Sequence, residues 1–189
     1  CDSLISVTIP DGVTTIGEYA FTDCPNLTSV TLPDSVIEIQ EGTFSSCTSL
    51  VSFAIPNSVV KIEPSAFERC TSLSKFIVND KNQCFSTDST GKMLLSKDGI
   101  VLFVYLSATG DISIPSSIAV IEEGAFKSCT ALNSISIPNG VIKIGDSAFS
   151  ECTSLSSIHI PESVTEIGAN AFSRCRSLIS IAIASRVKH

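Results

Sequence analysis

The amino-acid sequence predicts a solenoid: a right-handed stack of 23-residue coils with a parallel β-sheet on the concave face. Apolar residues occupy the same places in every copy of the unit. A single copy cannot bury them alone, so the copies must stack. Cysteines mark the period because they recur every 23 residues in two series. These are Cys1, Cys24, Cys47 and Cys70, then Cys129, Cys152 and Cys175.

The first element of each coil is a short strand. Leu follows three residues after the cysteine, and β-branched or aromatic residues alternate after it, as in Leu27, Val30 and Leu32. This period of two predicts a strand with one buried side. A proline such as Pro33 comes next, and because it has no N–H group to donate, we expect it to end the strand and turn the chain.

The second element brings the chain back along the opposite wall of the coil. It has the pattern V-x-x-I, as in Val36 and Ile39. A polar stretch with frequent Gly or Glu follows it. We expect that stretch to lead into a short helical turn, opposite the sheet, which carries Ala-Phe as in Ala66 and Phe67.

The register makes residues 1–189 a single domain with one insertion. Repeats are predicted to start near residues 1, 24, 47, 70, 106, 129, 152 and 175. The distance from Cys70 to Cys129 is 59 residues, which is 23 plus 36, so one repeat contains extra chain at about 79–110.

Within the insertion, residues 79–90 are polar and are predicted to form a loop, whereas 92–96 and 100–106 are rich in strand-forming residues. Asp98-Gly99 between these runs favours a β-hairpin. We expect the hairpin to project from the solenoid before a strand at 111–114. Its Phe103 and Tyr105 alternate on one face, where they either contact a partner or pack against the adjacent repeats.

The cysteine column permits three interpretations: buried thiols, disulfides between neighbouring coils, or a metal site. Equivalent residues on adjacent strands lie about 4.8 Å apart, whereas a disulfide prefers Cβ atoms about 3.8 Å apart. The chain has no C-x-x-C pair and no histidine near a cysteine, so zinc-ligand spacing is absent. The residues therefore favour buried thiols and predict no metal.

Residues between the inward-pointing strand positions should form the outer face of the sheet, where solenoids commonly bind partners. This face is rich in hydroxyl groups and contains none of the Trp, Tyr or Arg residues typical of tight interfaces. The candidate binding residues are Ser6, Thr8, Ser29, Thr31, Ser52, Lys75, Ser113, Ser134, Ser136, Ser157 and His159.

Several function classes are disfavoured. A net charge of −7 is poorly suited to nucleic acid, which requires clustered Lys and Arg. No run is long and apolar enough to span a bilayer, so direct membrane insertion is not expected. Motifs for nucleophilic, metal-dependent or nucleotide-dependent catalysis are absent, so we expect neither an enzyme nor a cofactor.

The repeat resembles a known family. The pattern C-x-x-L-x-x-I-x-I-P-x-x-V-x-x-I-x-x-x-A-F-x-x-C closely resembles the BspA-like leucine-rich repeats, also called the Treponema pallidum type. The copy from Cys152 to Cys175 matches it at every key position. Common leucine-rich repeats have an asparagine where this chain has Gly or Ser, so no asparagine ladder is expected. The positions are Gly12, Ser35, Ser58, Ser117, Gly140 and Ser163.

The resemblance implies a surface or secreted protein, because such repeats are typical of bacterial surface proteins and are associated with adhesion to host matrix proteins or cells. It favours an extracellular binding module with a protein partner. A structural spacer and an intracellular interaction scaffold remain as alternatives. Neither end has an evident polar cap, so we also expect a longer array or end-to-end self-association through the termini.

Overall fold

The alternating apolar residues after each cysteine form strands that stack residue over equivalent residue. The computed structural model describes residues 1–63, 65–183 and 186–187. Val7 lies beside Val30, and Ile135 lies beside Ile158, each pair separated by 23 positions. The chain is a β-solenoid of about seven coils that forms two compact units, Cys1–Lys97 and Asp98–His189. The predicted solenoid is confirmed.

The unit Cys1–Lys97 contains two parallel walls and an antiparallel pair. Its strands are β1 (Ser6–Thr8), β2 (Thr15–Ile16), β3 (Ser29–Thr31), β4 (Glu38–Ile39), β5 (Ser52–Ile55), β6 (Lys61–Ile62), β7 (Lys75–Val78), β8 (Phe85–Thr87) and β9 (Met93–Ser96). In the first wall, formed by the L-x-x-V-x-L segments, β1 pairs with β3 and β5 with β7. In the second wall, formed by the V-x-x-I segments, β2, β4 and β6 pair in that order. The antiparallel pair, β8 with β9, lies outside this three-stranded sheet.

The unit Asp98–His189 repeats the two-wall arrangement. Its first wall is the parallel series β11, β13 and β15, and its second wall is the parallel series β10, β12, β14 and β16. Its strands are β10 (Val101–Tyr105), β11 (Gly110–Ser113), β12 (Val120–Ile121), β13 (Leu132–Ser136), β14 (Lys143–Ile144), β15 (Ser157–His159) and β16 (Glu166–Ile167).

The predicted helical turns are wrong in detail, because the part of the chain that the structure describes contains no helix. Each Ala-Phe segment is instead a pair of hydrogen-bonded turns closed by left-handed residues. In the first coil, Tyr19 (φ 54°) and Asp23 (φ 51°) are left-handed, which leaves only 20–22 between them. A right-handed helix cannot continue through a left-handed residue. The first of these two places is glycine in two coils, at Gly42 and Gly124.

Aromatic side chains from successive coils stack in the core of each unit. In the first unit, Phe44 lies between Phe21 and Phe67, with ring centroids 5.6 and 5.8 Å apart. In the second unit, the rings form the series Tyr105, Phe126, Phe149 and Phe172, with centroids 5.3, 4.9 and 5.5 Å apart. These separations are those of favourable offset stacking.

The strands predicted in the insertion are present, but they do not project. In the first unit, the side chains of Met93, Leu94 and Leu95 on β9 are buried, and β9 pairs with β8 in antiparallel fashion. The polar loop predicted for residues 79–90 is wrong at β8, which is a strand. In the second unit, β10 buries Leu102 and pairs with β12, so it occupies the V-x-x-I position of a coil.

The polar stretch before β8 is fixed by one buried asparagine. The side chain of Asn82 is fully buried and donates through Nδ2 to the carbonyls of Pro56 (2.8 Å) and Val59 (3.2 Å). Its Oδ1 accepts hydrogen bonds from the main-chain N–H groups of Cys84 (2.9 Å) and Phe85 (2.8 Å). All hydrogen-bonding capacity of the amide is therefore used, and the segment is attached to the preceding coil.

Asn82→Ala should destabilise the protein by about 2–4 kcal/mol, because buried donors and acceptors lose their partners. Urea unfolding measures this loss. Gln83→Ala is the matched control, because Gln83 is exposed and bonds only locally to Lys81. Equal midpoints for the two variants would contradict the assigned role of Asn82.

The repeated cysteines are free thiols, and those at 24, 47, 70, 152 and 175 are buried. Several of these thiols donate a hydrogen bond to a main-chain carbonyl of the preceding coil. Cys70 Sγ lies 3.0 Å from the carbonyl oxygen of Phe44, and Cys152 Sγ lies 3.1 Å from that of Phe126. The thiols of Cys47, Cys129 and Cys175 likewise donate to the carbonyl oxygen of the aromatic residue in the coil before. Cys24 is an exception, because its Sγ lies 3.7 Å from the carbonyl oxygen of Thr22 in its own coil. Burial raises the pKa of Cys70 to about 12 and that of Cys47 to about 11.

Stability should therefore fall in alkali. The pKa of Cys70 is higher in the folded chain than the value near 8.5 of a free thiol, so the contribution of the protonated thiol is complete below about pH 8.5. This contribution is lost as the pH rises toward about 12. At pH 10, the stability already lost is on the order of 2 kcal/mol. Urea midpoints at pH 8 and pH 10 measure the loss, and Cys70→Ala should lose less between these two values. Identical pH dependence would contradict the prediction.

Candidate binding surface

In each of the two units, the first wall presents outward side chains that are mostly small and polar. We call this surface the hydroxyl face and define it by the residues predicted from the sequence together with Asp111. All of the predicted residues are exposed except Ser134, which is half-buried. The predicted set is Ser6, Thr8, Ser29, Thr31, Ser52, Lys75, Ser113, Ser134, Ser136, Ser157 and His159.

The strand register places these side chains in columns. In the first unit, Ser6 lies beside Ser29, Thr8 beside Thr31, and Ser52 beside Lys75. In the second unit, one column is Asp111, Ser134 and Ser157, and the next is Ser113, Ser136 and His159. The predicted residues of each unit therefore lie together on one sheet surface.

Hydroxyl groups elsewhere in the coil have a structural use. At the position where common leucine-rich repeats have asparagine, Ser35 donates to the carbonyl of Val13 (2.9 Å), Ser58 to that of Val36 (2.6 Å) and Ser163 to that of Val141 (2.7 Å). A serine ladder between coils thus replaces the missing asparagine ladder. The serines at this position were evident from the sequence, but their hydrogen bonds to the preceding coil were not predicted.

Among the described residues, one hydroxyl group of the hydroxyl face bonds to a neighbouring coil and the others do not. Within residues 1–63, 65–183 and 186–187, the only side-chain hydrogen bond made by a predicted face residue joins Ser134 Oγ to Asp111 Oδ1, at 2.7 Å. The other face hydroxyls are directed away from the core and keep their donors and acceptors for solvent or a ligand. The fold therefore does not depend on them.

The hydroxyl face of the second unit contains an open depression of about 550 Å³. Its lining residues come from β11, β13 and β15 and include Asp111, Ser134, Ser136, Ser157 and His159. Asp111 was not predicted from the sequence, because its carboxylate does not fit the hydroxyl pattern of the face. Counting 23 positions back from Ser134 identifies it.

Phe103 and Tyr105 lie on β10, in the second wall of the second unit. Both are half-buried, and the ring of Tyr105 stacks on Phe126 with centroids 5.3 Å apart. For Tyr105, this contact agrees with the prediction that the side chain packs against the adjacent repeat. These two residues are separate from the hydroxyl face.

The second wall presents a different surface, which the sequence analysis did not single out. Its outward residues include aliphatic side chains that are about half exposed: Ile37 (46%), Val60 (58%) and Ile142 (51%). Charged pairs lie next to them, such as Lys143 and Glu166 at 3.1 Å. This wall is a rival to the hydroxyl face as a contact surface.

In the part of the chain that the structure describes, no group of three or more His, Cys, Asp or Glu side chains has an arrangement that suits a metal ion. These residues also contain no helix with the length and hydrophobicity needed to cross a bilayer.

A family model identifies the repeat. The BspA type leucine rich repeat region matches residues 1–96 and 101–189, in six copies. The chain belongs to the BspA-type leucine-rich repeat family. The resemblance inferred from the repeat pattern is therefore confirmed. A comparison with curated proteins gives no match.

Solved structures of bacterial proteins share the BspA-type fold. A leucine rich cell surface protein of Faecalibacterium prausnitzii is 33% identical with a TM-score of 0.74, and the match covers 99% of this chain and 55% of that one. The leucine rich repeat protein of T. pallidum is 30% identical with a TM-score of 0.53, covering 93% and 78%.

The pneumococcal vaccine antigen PcpA is 25% identical with a TM-score of 0.77, covering 86% of this chain and 41% of that one. The chain therefore spans about half the length of the F. prausnitzii and pneumococcal proteins that it matches.

The contrast between the two hydroxyl populations predicts two different mutational effects. Ser58→Ala should cost about 1 kcal/mol of stability, because the bond to the Val36 carbonyl is lost. Ser52→Ala on the hydroxyl face should change stability by less than about 0.5 kcal/mol. Urea unfolding of both variants checks this, and an equal loss would show that the face hydroxyls also support the fold.

Proposed function

We propose that this chain is a non-enzymatic protein-binding module of a surface or secreted protein, and that the hydroxyl face is its binding surface. The supporting observation is that the hydroxyls of this face, apart from that of Ser134, are exposed and make no hydrogen bond among the described residues, in a fold where Ser35, Ser58 and Ser163 bond between coils. Solenoids bind partners along such extended sheet surfaces.

The proposed location is extracellular or at the cell surface, and the proposed partner is a matrix or cell-surface protein of a host. The name of the F. prausnitzii protein describes it as a cell surface protein, and PcpA is named as a vaccine antigen. Membership of the BspA-type family supports the same proposal.

A structural spacer in a larger surface protein is the second candidate. One observation favours it: the hydroxyl face has no Trp, Tyr or Arg, the side chains that contribute most to tight interfaces. A spacer would bind no partner through either wall, so a binding experiment separates the two functions.

Binding to a panel of purified extracellular-matrix proteins, measured by biosensor, tests the proposal with charged substitutions on each wall. Ser29→Glu and Ser157→Glu place a carboxylate in the hydroxyl face of each unit. We expect the variant whose unit contacts the partner to bind about tenfold more weakly or worse, because a buried, unpaired charge is costly.

Val60→Glu and Ile142→Glu are the matched controls, because they add the same charge to the second wall of each unit at exposed positions. They should bind as the unmodified chain does. Loss of binding in the controls alone would assign binding to the second wall and overturn the proposal. An absence of binding to the whole panel would favour the spacer.

A further inference from the structure

Asp111 has no basic side chain as a partner among the described residues, unlike two other acidic residues of its unit. In the second unit, Glu151 pairs with Arg174 at 2.7 Å and Glu166 pairs with Lys143 at 3.1 Å. Asp111 is exposed, and its one side-chain partner among the described residues is the hydroxyl of Ser134, at 2.7 Å. Its negative charge is therefore balanced by no cation of the described chain, while one oxygen is held in a defined orientation.

The surroundings of this carboxylate are those of a receptor for hydrogen-bond donors. Asp111 lies in the depression of about 550 Å³, where Ser113, Ser136 and Ser157 contribute hydroxyl groups without partners. Hydroxyl oxygens accept hydrogen bonds as readily as they donate them, so the site offers several acceptors around one negative charge. His159 is the other titratable residue that lines the depression.

We propose that this depression binds a positively charged side chain of the partner, a lysine ammonium or an arginine guanidinium, with Asp111 as its counter-ion. Both groups present several N–H donors and no acceptor, which matches a carboxylate surrounded by hydroxyl groups. An anionic group would be repelled by the negative charge of Asp111. The inference rests on the proposed function, because it names the chemistry that the hydroxyl face recognises in its protein partner.

The orientation of the carboxylate supports the assignment. Ser134 lies directly beside Asp111 in the strand register and holds Oδ1, which leaves Oδ2 for an incoming cation. Ser157 lies beside Ser134 on the next strand, so a bound cation has acceptors on consecutive coils. Because Ser134 already holds the Asp111 carboxylate, little further ordering of this side chain is needed when a cation binds.

A direct test titrates the full chain with the acetylated and amidated pentapeptide Gly-Ser-Lys-Ser-Gly and monitors binding by two-dimensional ¹H–¹⁵N NMR. The amide signals of Ser113, Ser134 and Ser157 should shift on titration, with an affinity that weakens between 20 and about 500 mM NaCl because salt screens exposed charges. The same peptide with norleucine in place of lysine removes the ammonium and should produce no shift at these residues. Shifts that are equal for the two peptides would overturn the proposal.

Asp111→Asn provides the matched variant. The amide oxygen of asparagine still accepts the bond from Ser134, so the local geometry is kept while the charge is lost. Binding of the lysine peptide should weaken about fivefold, the magnitude of an exposed ion pair. Glu162→Gln makes the same change in net charge at an exposed residue that does not line the depression.

Glu162→Gln should bind the peptide as the unmodified chain does. An equal loss in both variants would reveal general electrostatic attraction, and unchanged binding in Asp111→Asn would remove the counter-ion role. Either result overturns the cation site. It leaves the proposed function to its own test, because the glutamate substitutions on the two walls report on binding of a whole protein. Failure in that assay with a positive peptide result would instead leave a cation site without a protein-binding face.

Discussion

The whole structure depends on one constraint: each residue must lie over its equivalent in the previous coil. Parallel main-chain hydrogen bonds impose this register, with strands about 4.8 Å apart. An aromatic residue in one coil therefore lies against its equivalent in the next, as Phe126 and Phe149 do at 4.9 Å. The same register brings the thiol of Cys152 to the carbonyl of Phe126. Core side chains and backbone thus support the same alignment, and an error in one coil would disturb its neighbours on both sides.

The register also separates structural hydroxyls from those available for recognition. At the turn after the strand, a serine reaches the carbonyl of the preceding coil, as Ser58 does with Val36. On the hydroxyl face, side chains stand roughly perpendicular to the sheet and meet only their equivalents. Substitution there costs the fold little, so this surface can change with the partner while the coil stays constant.

The periodic parts of the molecule were predictable from the sequence, and the single contacts were not. Recurrence of Leu, Val and Pro at 23 residues was sufficient to place the first wall and its outward hydroxyls, because any residue in a column has the same environment as the next. Asn82 has no equivalent in other coils, so no pattern indicated that its amide bonds to Pro56 and Val59. Asp111 lies in register with Ser134, but its carboxylate departs from the hydroxyl residues of its column, so the hydroxyl pattern did not indicate it. The V-x-x-I segment was correctly predicted to lie on the opposite wall of the coil, but its two apolar residues per coil were too few to predict that these segments pair as a second parallel sheet.

The chemistry of the hydroxyl face bears on how affinity arises in such a protein. Under the proposed function, each small hydroxyl side chain would bury little area, so one coil would contribute little to binding and affinity would be summed over several coils that contact one extended partner. Because uncharged columns of serine are nearly identical from coil to coil, they do not by themselves define where along the array a partner sits. An unpaired charge such as Asp111 breaks this equivalence, since a cation on the partner is favoured in one register and in no other. In a repeat of this kind, therefore, the column supplies area and the departures from the column supply specificity.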